Sequence, residues 1–103
     1  MFSDLINKYG DDFNWWTPDN MEFLNKQIKQ ELVKEHELYG KNLKAIAKCE
    51  SNDDVLYKSE NKFYIIHLLW NKGNKELPSY IEFVNLEEAI DYIEKKYIDK
   101  FKD

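Results

Sequence analysis

Phe63-Tyr64-Ile65-Ile66-His67-Leu68-Leu69-Trp70 is an apolar run broken only by His67. Such a run needs cover on both faces, so it reads as a central strand. On its N-terminal side, Ser59-Glu60-Asn61-Lys62 reads as a turn and Val55-Leu56-Tyr57-Lys58 as a strand. Ser51-Asn52-Asp53-Asp54 is a second turn. Before it, Leu43, Ala45, Ala47 and Cys49 alternate with Lys44, Ile46 and Lys48, the period of a half-buried strand. On the C-terminal side, Asn71-Lys72-Gly73-Asn74-Lys75 is a loop, and Pro78 cannot donate to a central ladder. Tyr80 to Val84 then forms a fourth, short strand at an edge. Short turns between successive strands imply an antiparallel meander, because parallel pairs need long crossovers.

Helical periodicity flanks this block. Phe2, Leu5, Ile6 and Tyr9 are spaced by three and four, predicting a short helix that Gly10-Asp11-Asp12 ends. Phe13-Asn14-Trp15-Trp16 reads as an aromatic loop. Thr17 as N-cap and Pro18 at the first helical position open a second helix. Met21, Leu24, Ile28, Leu32 and Tyr39 form its stripe, and Gly40 is its stop, giving one long helix over residues 18–39. Asn85 caps the last helix with Glu88 three residues on. Leu86, Ala89, Ile90, Ile93, Tyr97 and Phe101 make its buried stripe, and Lys95, Lys96, Lys100 and Lys102 suit the negative end of its dipole. The expected fold is one α+β domain spanning residues 1–103. It is a two-layer domain with a four-stranded antiparallel sheet packed by helices, in the order α-α-β-β-β-β-α. Leu24, Ile28, Leu32, Ile66, Leu68, Ile90 and Ile93 are expected to share one core.

Composition narrows the function. In 103 residues, 43% are hydrophobic and 16% aromatic, which suits a folded domain. Acidic residues total 20 against 15 basic ones, a formal charge of -5. All the basic residues are Lys. Arg is the usual bidentate reader of phosphates and bases, so an acidic chain without it argues against nucleic acid and for a basic protein partner. No apolar run reaches the ~18–20 residues of a membrane span. Met1-Phe2-Ser3-Asp4 lacks the basic start of a signal peptide, so the expected location is cytoplasmic.

No residue pattern announces catalysis. The single Cys49 has no signature of a nucleophile around it. His36 and His67 are not spaced as a metal-binding pair, so no metal and no cofactor is expected. Each His is read as structural: His36 at a helix end, and His67 facing the side of Ile65 and Leu69 with Asp53 or Asp54 as its bonding partner. Two acidic clusters carry aromatics or border a strand. Asp11, Asp12, Trp15, Trp16 and Asp19 form one, and Glu50, Asp53 and Asp54 the other. Acids steer a basic partner and exposed Trp anchors it, so these are the candidate partner-binding residues.

Three segments carry a resemblance: His36-Glu37-Leu38-Tyr39-Gly40, Asp53-Asp54-Val55-Leu56-Tyr57 and His67-Leu68-Leu69-Trp70. They resemble a family of small bacterial proteins reading like "HPLYG", "DDVLF" and "VHLTW". Pro78 and Leu86-Glu87-Glu88-Ala89-Ile90 match that family's following loop and helix. The chain departs at Glu37, where Pro is usual, and at Leu69, where Thr is usual. The family has no established enzymatic activity, and its size and acidity are similar to those of immunity proteins of bacterial toxin systems. The resemblance implies a non-enzymatic inhibitor that occludes a basic toxin. It marks His36, Tyr39, Gly40, His67 and Trp70 as motif residues with structural roles. Two other classes stand beside this one: a homodimerising structural or regulatory protein, and a small His/Asp-dependent enzyme. The chain is expected to be a monomer or a homodimer.

Overall fold

The computed structural model describes residues 1–10 and 13–100. Asp11, Asp12, Phe101 and Lys102, singled out above, lie outside the described residues. The elements are α1 (Ser3–Tyr9), β1 (Trp15–Trp16), α2 (Glu22–Glu31), β2 (Lys44–Cys49), β3 (Asp54–Ser59), β4 (Lys62–His67), β5 (Tyr80–Phe83) and α3 (Leu86–Lys100). All strands run antiparallel in one sheet of order β1-β2-β3-β4-β5. The meander and the α+β class stand as expected. Four details change.

The sheet has five strands. Trp15 and Trp16, expected in a loop, pair with Cys49 and Lys48. Two residues are too short to show alternation, so only a neighbouring strand end can recruit them. The order becomes α-β-α-β-β-β-β-α.

The helices lie on both faces of the sheet, so the two-layer expectation is corrected to three layers. Leu24, Ile28 and Leu32 pack with Leu43, Ala45, Val55, Tyr57, Tyr64, Ile66 and Leu68 on one face. Phe2, Leu5, Ala89, Ile93 and Tyr97 pack with Trp15, Ala47, Cys49, Leu56, Ile65 and Phe83 on the other. The expected single core is thus two, and Ile90 and Ile93 belong to the second. The continuous apolar run of β4 is the reason, since Tyr64 and Ile66 point one way and Ile65 the other.

A bulge divides β2. Ala45 pairs with Tyr57 and Ala47 with Leu56, leaving Ile46 as the extra residue. An extra residue turns the following side chains to the opposite face. Ala45 therefore faces α2, while Ala47 and Cys49 face α3, although simple alternation puts all three together.

The second helix is short. It runs Glu22–Glu31, with Met21 rather than Thr17 at its N-cap and Leu32 extended at ψ 119°. Asn20 Oδ1 accepts the Glu22 N–H at 2.9 Å. His36 lies in the turns beyond, and Gly40, at φ +86°, serves a turn rather than the helix end. The last helix keeps its expected cap, the Glu88 N–H donating to Asn85 Oδ1 at 2.8 Å.

Candidate functional site

The end of the sheet where β3 begins and β4 stops collects two of the three motif segments. Asp54 and His67 are direct cross-strand partners. His67 Nδ1 and Asp54 Oδ1 are 2.8 Å apart, on the α3 side, as expected from alternation. One residue earlier the chain presents the other face. Trp70 Nε1 donates to Asp53 Oδ1 at 3.0 Å, and the Leu68 N–H donates to the Asp53 carbonyl at 3.0 Å. Adjacent carboxylates thus hold a His on one side of the strand and a Trp on the other.

Trp70 is built into place. Its φ is +60°, a region that bulky residues rarely occupy. The Leu69 and Trp70 N–H groups donate to Glu31 Oε1 and Oε2 at 2.7 and 3.0 Å. Gln27 Nε2 adds a third donor at 2.8 Å. Glu31 is fully buried, and sequence reasoning missed it. It sits in the last turn of α2, where an acid opposes the helix dipole. That misplacement was the available signal. Its carbonyl also accepts the Gly73 N–H at 2.8 Å. A Cβ on Gly73 would lie 2.2 Å from the Leu77 carbonyl oxygen and 2.7 Å from that of Glu31, so only Gly allows this approach. Despite this clamp, Trp70 is 44% exposed.

The other expected residues are distributed as follows. Trp15 is 6% exposed and joins the core, so it offers no anchor to a partner. Trp16 is 46% exposed, and Asp19 and Glu50 are exposed. Glu50 is tied to the N-terminal arm through its main chain, its N–H donating to the Asn14 carbonyl at 2.7 Å. Cys49 is buried, and burial pushes its thiol above the usual range.

The two histidines lie apart. His36 is buried, its Nδ1 accepting the Leu38 N–H at 3.0 Å and its Nε2 donating to the Pro78 carbonyl at 2.9 Å. That pattern places the proton on Nε2 and ties the motif turn to the loop before β5. Its ring packs on Tyr80, whose hydroxyl bonds Glu37. That bond and burial push the Tyr80 phenol up to about 12. Tyr39 is exposed beside Gly40 in a separate depression. His36 lines a cavity of about 320 Å³ with Glu35, Glu37 and Tyr80. His67 lines one of about 260 Å³ with Asp54, Ser79 and Tyr92. Among the described residues no group of three His, Cys, Asp or Glu side chains is placed to hold a metal ion. No helix among them is long and apolar enough to cross a membrane.

Comparison with known proteins gives no matching family model, no matching curated sequence and no matching solved structure.

Proposed function

We propose that the protein is a non-enzymatic binding protein, an immunity-type inhibitor that occludes a basic toxin domain with the sheet end bearing Glu50, Asp53, Asp54 and Trp70. The observation that carries this reading is Trp70. A strained backbone and a fully buried carboxylate both hold in place a Trp residue that stays 44% exposed. Strain kept at a surface is a pointer to function. A rigid exposed Trp loses little entropy on binding, which makes it a good anchor. The net charge of -5 supports a basic partner. Trp16 replaces the Trp15–Trp16 pair as the second aromatic contact.

In this mechanism the acids govern encounter and Trp70 governs residence. Steering is screened beyond about 8 Å at physiological salt, so association slows as salt rises. The test is co-expression with a basic toxin domain encoded beside this gene, scored by growth rescue, followed by kinetics on the purified complex. Glu50→Lys should lower the on-rate, since that side chain is exposed and makes no bond among the described residues. Trp70→Ala should raise the off-rate about tenfold or more. A complex indifferent to salt and to both substitutions would remove this surface.

One observation favours a second reading, a small His/Asp-dependent hydrolase. By strand register Asp54, His67 and Ser79 stand abreast on one face, and all three line the same cavity. These are the residue types of a nucleophilic triad. Hydrolysis of an activated ester that Ser79→Ala abolishes would favour it; turnover unchanged by Ser79→Ala, or none above buffer, would dismiss it.

A further inference from the structure

β5 is the last strand of the sheet, and no described strand pairs with its outer side. Natural edges are guarded by Lys, Pro, bulges or brevity. β1, at the other edge, is two residues long. Tyr80-Ile81-Glu82-Phe83 is short, at four residues, but contains no Lys, no Pro and no bulge, and Ile81 and the following Val84 are 39% and 61% exposed.

The register of β5 on β4 settles which groups face outward. The His67 N–H donates to the Ser79 carbonyl at 3.0 Å, which makes these opposed residues a hydrogen-bonded pair. Such pairs alternate along an antiparallel ladder. Ser79, Ile81 and Phe83 therefore direct their main-chain groups to β4, and Tyr80 and Glu82 direct theirs to the free edge. Side chains alternate as well: Tyr80 lies on the α2 face with Tyr64 and Ile66, and Phe83 on the α3 face.

We propose that β5 pairs antiparallel with β5 of a second copy, with Ile81 on the two-fold axis. In a continuous sheet with the axis normal to it, opposed residues must share a face, so only residues of equal parity meet. Two registers then satisfy the outward groups. One sets Glu82 against Glu82; each has Lys62 of its own copy at 3.2 Å, but that pair is solvent-exposed and weak, and the two carboxylates remain directly opposed, which is unfavourable. The other sets Tyr80 against the second copy's Glu82 in two reciprocal hydrogen-bonded pairs and Ile81 against its own copy. In that register Val84 meets Pro78, which has no N–H and ends the ladder. The contact is self-complementary, and this selects a second copy over an unrelated strand. The proposal does not rest on the partner-binding reading.

Light scattering on a sizing column should show the mass rise from 12.5 kDa toward twice that value as concentration increases. Ile81→Lys places two ammonium groups on the axis and should stay monomeric throughout, with an unchanged circular dichroism spectrum. Ile81→Cys should form a disulfide-linked dimer under mild oxidation, because non-hydrogen-bonded pairs bring Cα atoms to about 4.5 Å. The native Cys49 is buried and does not compete. Val84→Cys, facing Pro78, should cross-link far more slowly. A monomer at every concentration up to about 1 mM overturns the proposal. So does a dimer that survives Ile81→Lys, or a Val84→Cys cross-link as fast as that of Ile81→Cys. If Ile81→Lys fails to fold, the mass of the unaltered protein and the two Cys variants still decide.

Discussion

The Glu31 carboxylate, fully buried at the end of α2, accepts the main-chain N–H of Trp70 at 3.0 Å while Trp70 itself stays 44% exposed. Helix and loop are joined at this residue through both its side chain and its carbonyl. Its three donors come from Gln27, Leu69 and Trp70, and the Gly73 N–H binds the Glu31 carbonyl. A substitution at Glu31 therefore acts on both stability and the candidate site.

Glu31→Ala should destabilise the fold by about 3 kcal/mol or more, since it leaves the part-buried Leu69 and Trp70 N–H groups without this acceptor and a lost hydrogen-bond partner costs ~1–3 kcal/mol for each group. Urea unfolding measures the loss. Iodide quenching of Trp fluorescence should rise in native buffer as the Trp70 segment loosens. A variant within 1 kcal/mol of the parent would show that the loop holds itself.

Gly73→Ala should cost about 1–3 kcal/mol, because a Cβ meets two main-chain oxygens that cannot rotate away. Gly10→Ala is the contrast: among the described residues beyond its chain neighbours nothing lies within 4 Å of an added Cβ, so its positive φ is what penalises the change. Thermal melts of the two variants separate contact from conformation.

Ile28→Ala and Ile93→Ala should each cost about 2–5 kcal/mol, as both side chains are buried to 1% or less. They lie on opposite faces of the sheet, so the double variant should be additive within about 0.5 kcal/mol. A coupling well above that would mean the two cores communicate through β3 and β4.

His67→Gln and Asp54→Asn should each have small effects. The side chains are 50% and 27% exposed, and pairs of this kind contribute about 0–1 kcal/mol. A double-mutant cycle in urea isolates the coupling. A value above 2 kcal/mol would mark the pair as structural rather than available to a ligand.

Tyr80 gives the alkaline prediction. Its phenol is raised by the bond to Glu37 and by burial, to about 12, from an ordinary value of 10.0. The unfolded chain thus releases this proton first. The contribution to stability is fully present below pH 10 and is lost as pH rises toward 12. Glu37→Gln should move the tyrosinate absorbance transition back toward 10. An unmoved transition would assign the shift to burial instead.

Much of this was legible in the chain because it depends on local spacing. The strand block from Leu43 to Phe83, the Asn85 cap and the α3 stripe follow from period and capping chemistry, which act over a few residues. The partner of His67, left between Asp53 and Asp54, is fixed as Asp54 by the β3–β4 register, whereas the side that His67 faces followed from alternation along the strand. The helix boundary did not, since the stripe of Leu24, Ile28 and Leu32 continues past the point where Leu32 turns extended. Nothing local there reports that Glu31 is claimed by residues 69 and 70.

The sequence by itself determined the α+β class and the antiparallel meander of β2 to β5, because side-chain period marks those strands and short turns between successive strands disfavour parallel pairing. Only the tertiary structure decided which face each residue meets. One extra residue at Ile46 sends Ala47 to the opposite side from Ala45, and a bulge of one residue has no signature in the alternation around it. The same holds for Trp15 and Trp16. Both are large and aromatic, yet pairing with Cys49 and Lys48 buries one and exposes the other. Burial is a property of the neighbours that long-range pairing brings, and these lie more than thirty residues away along the chain.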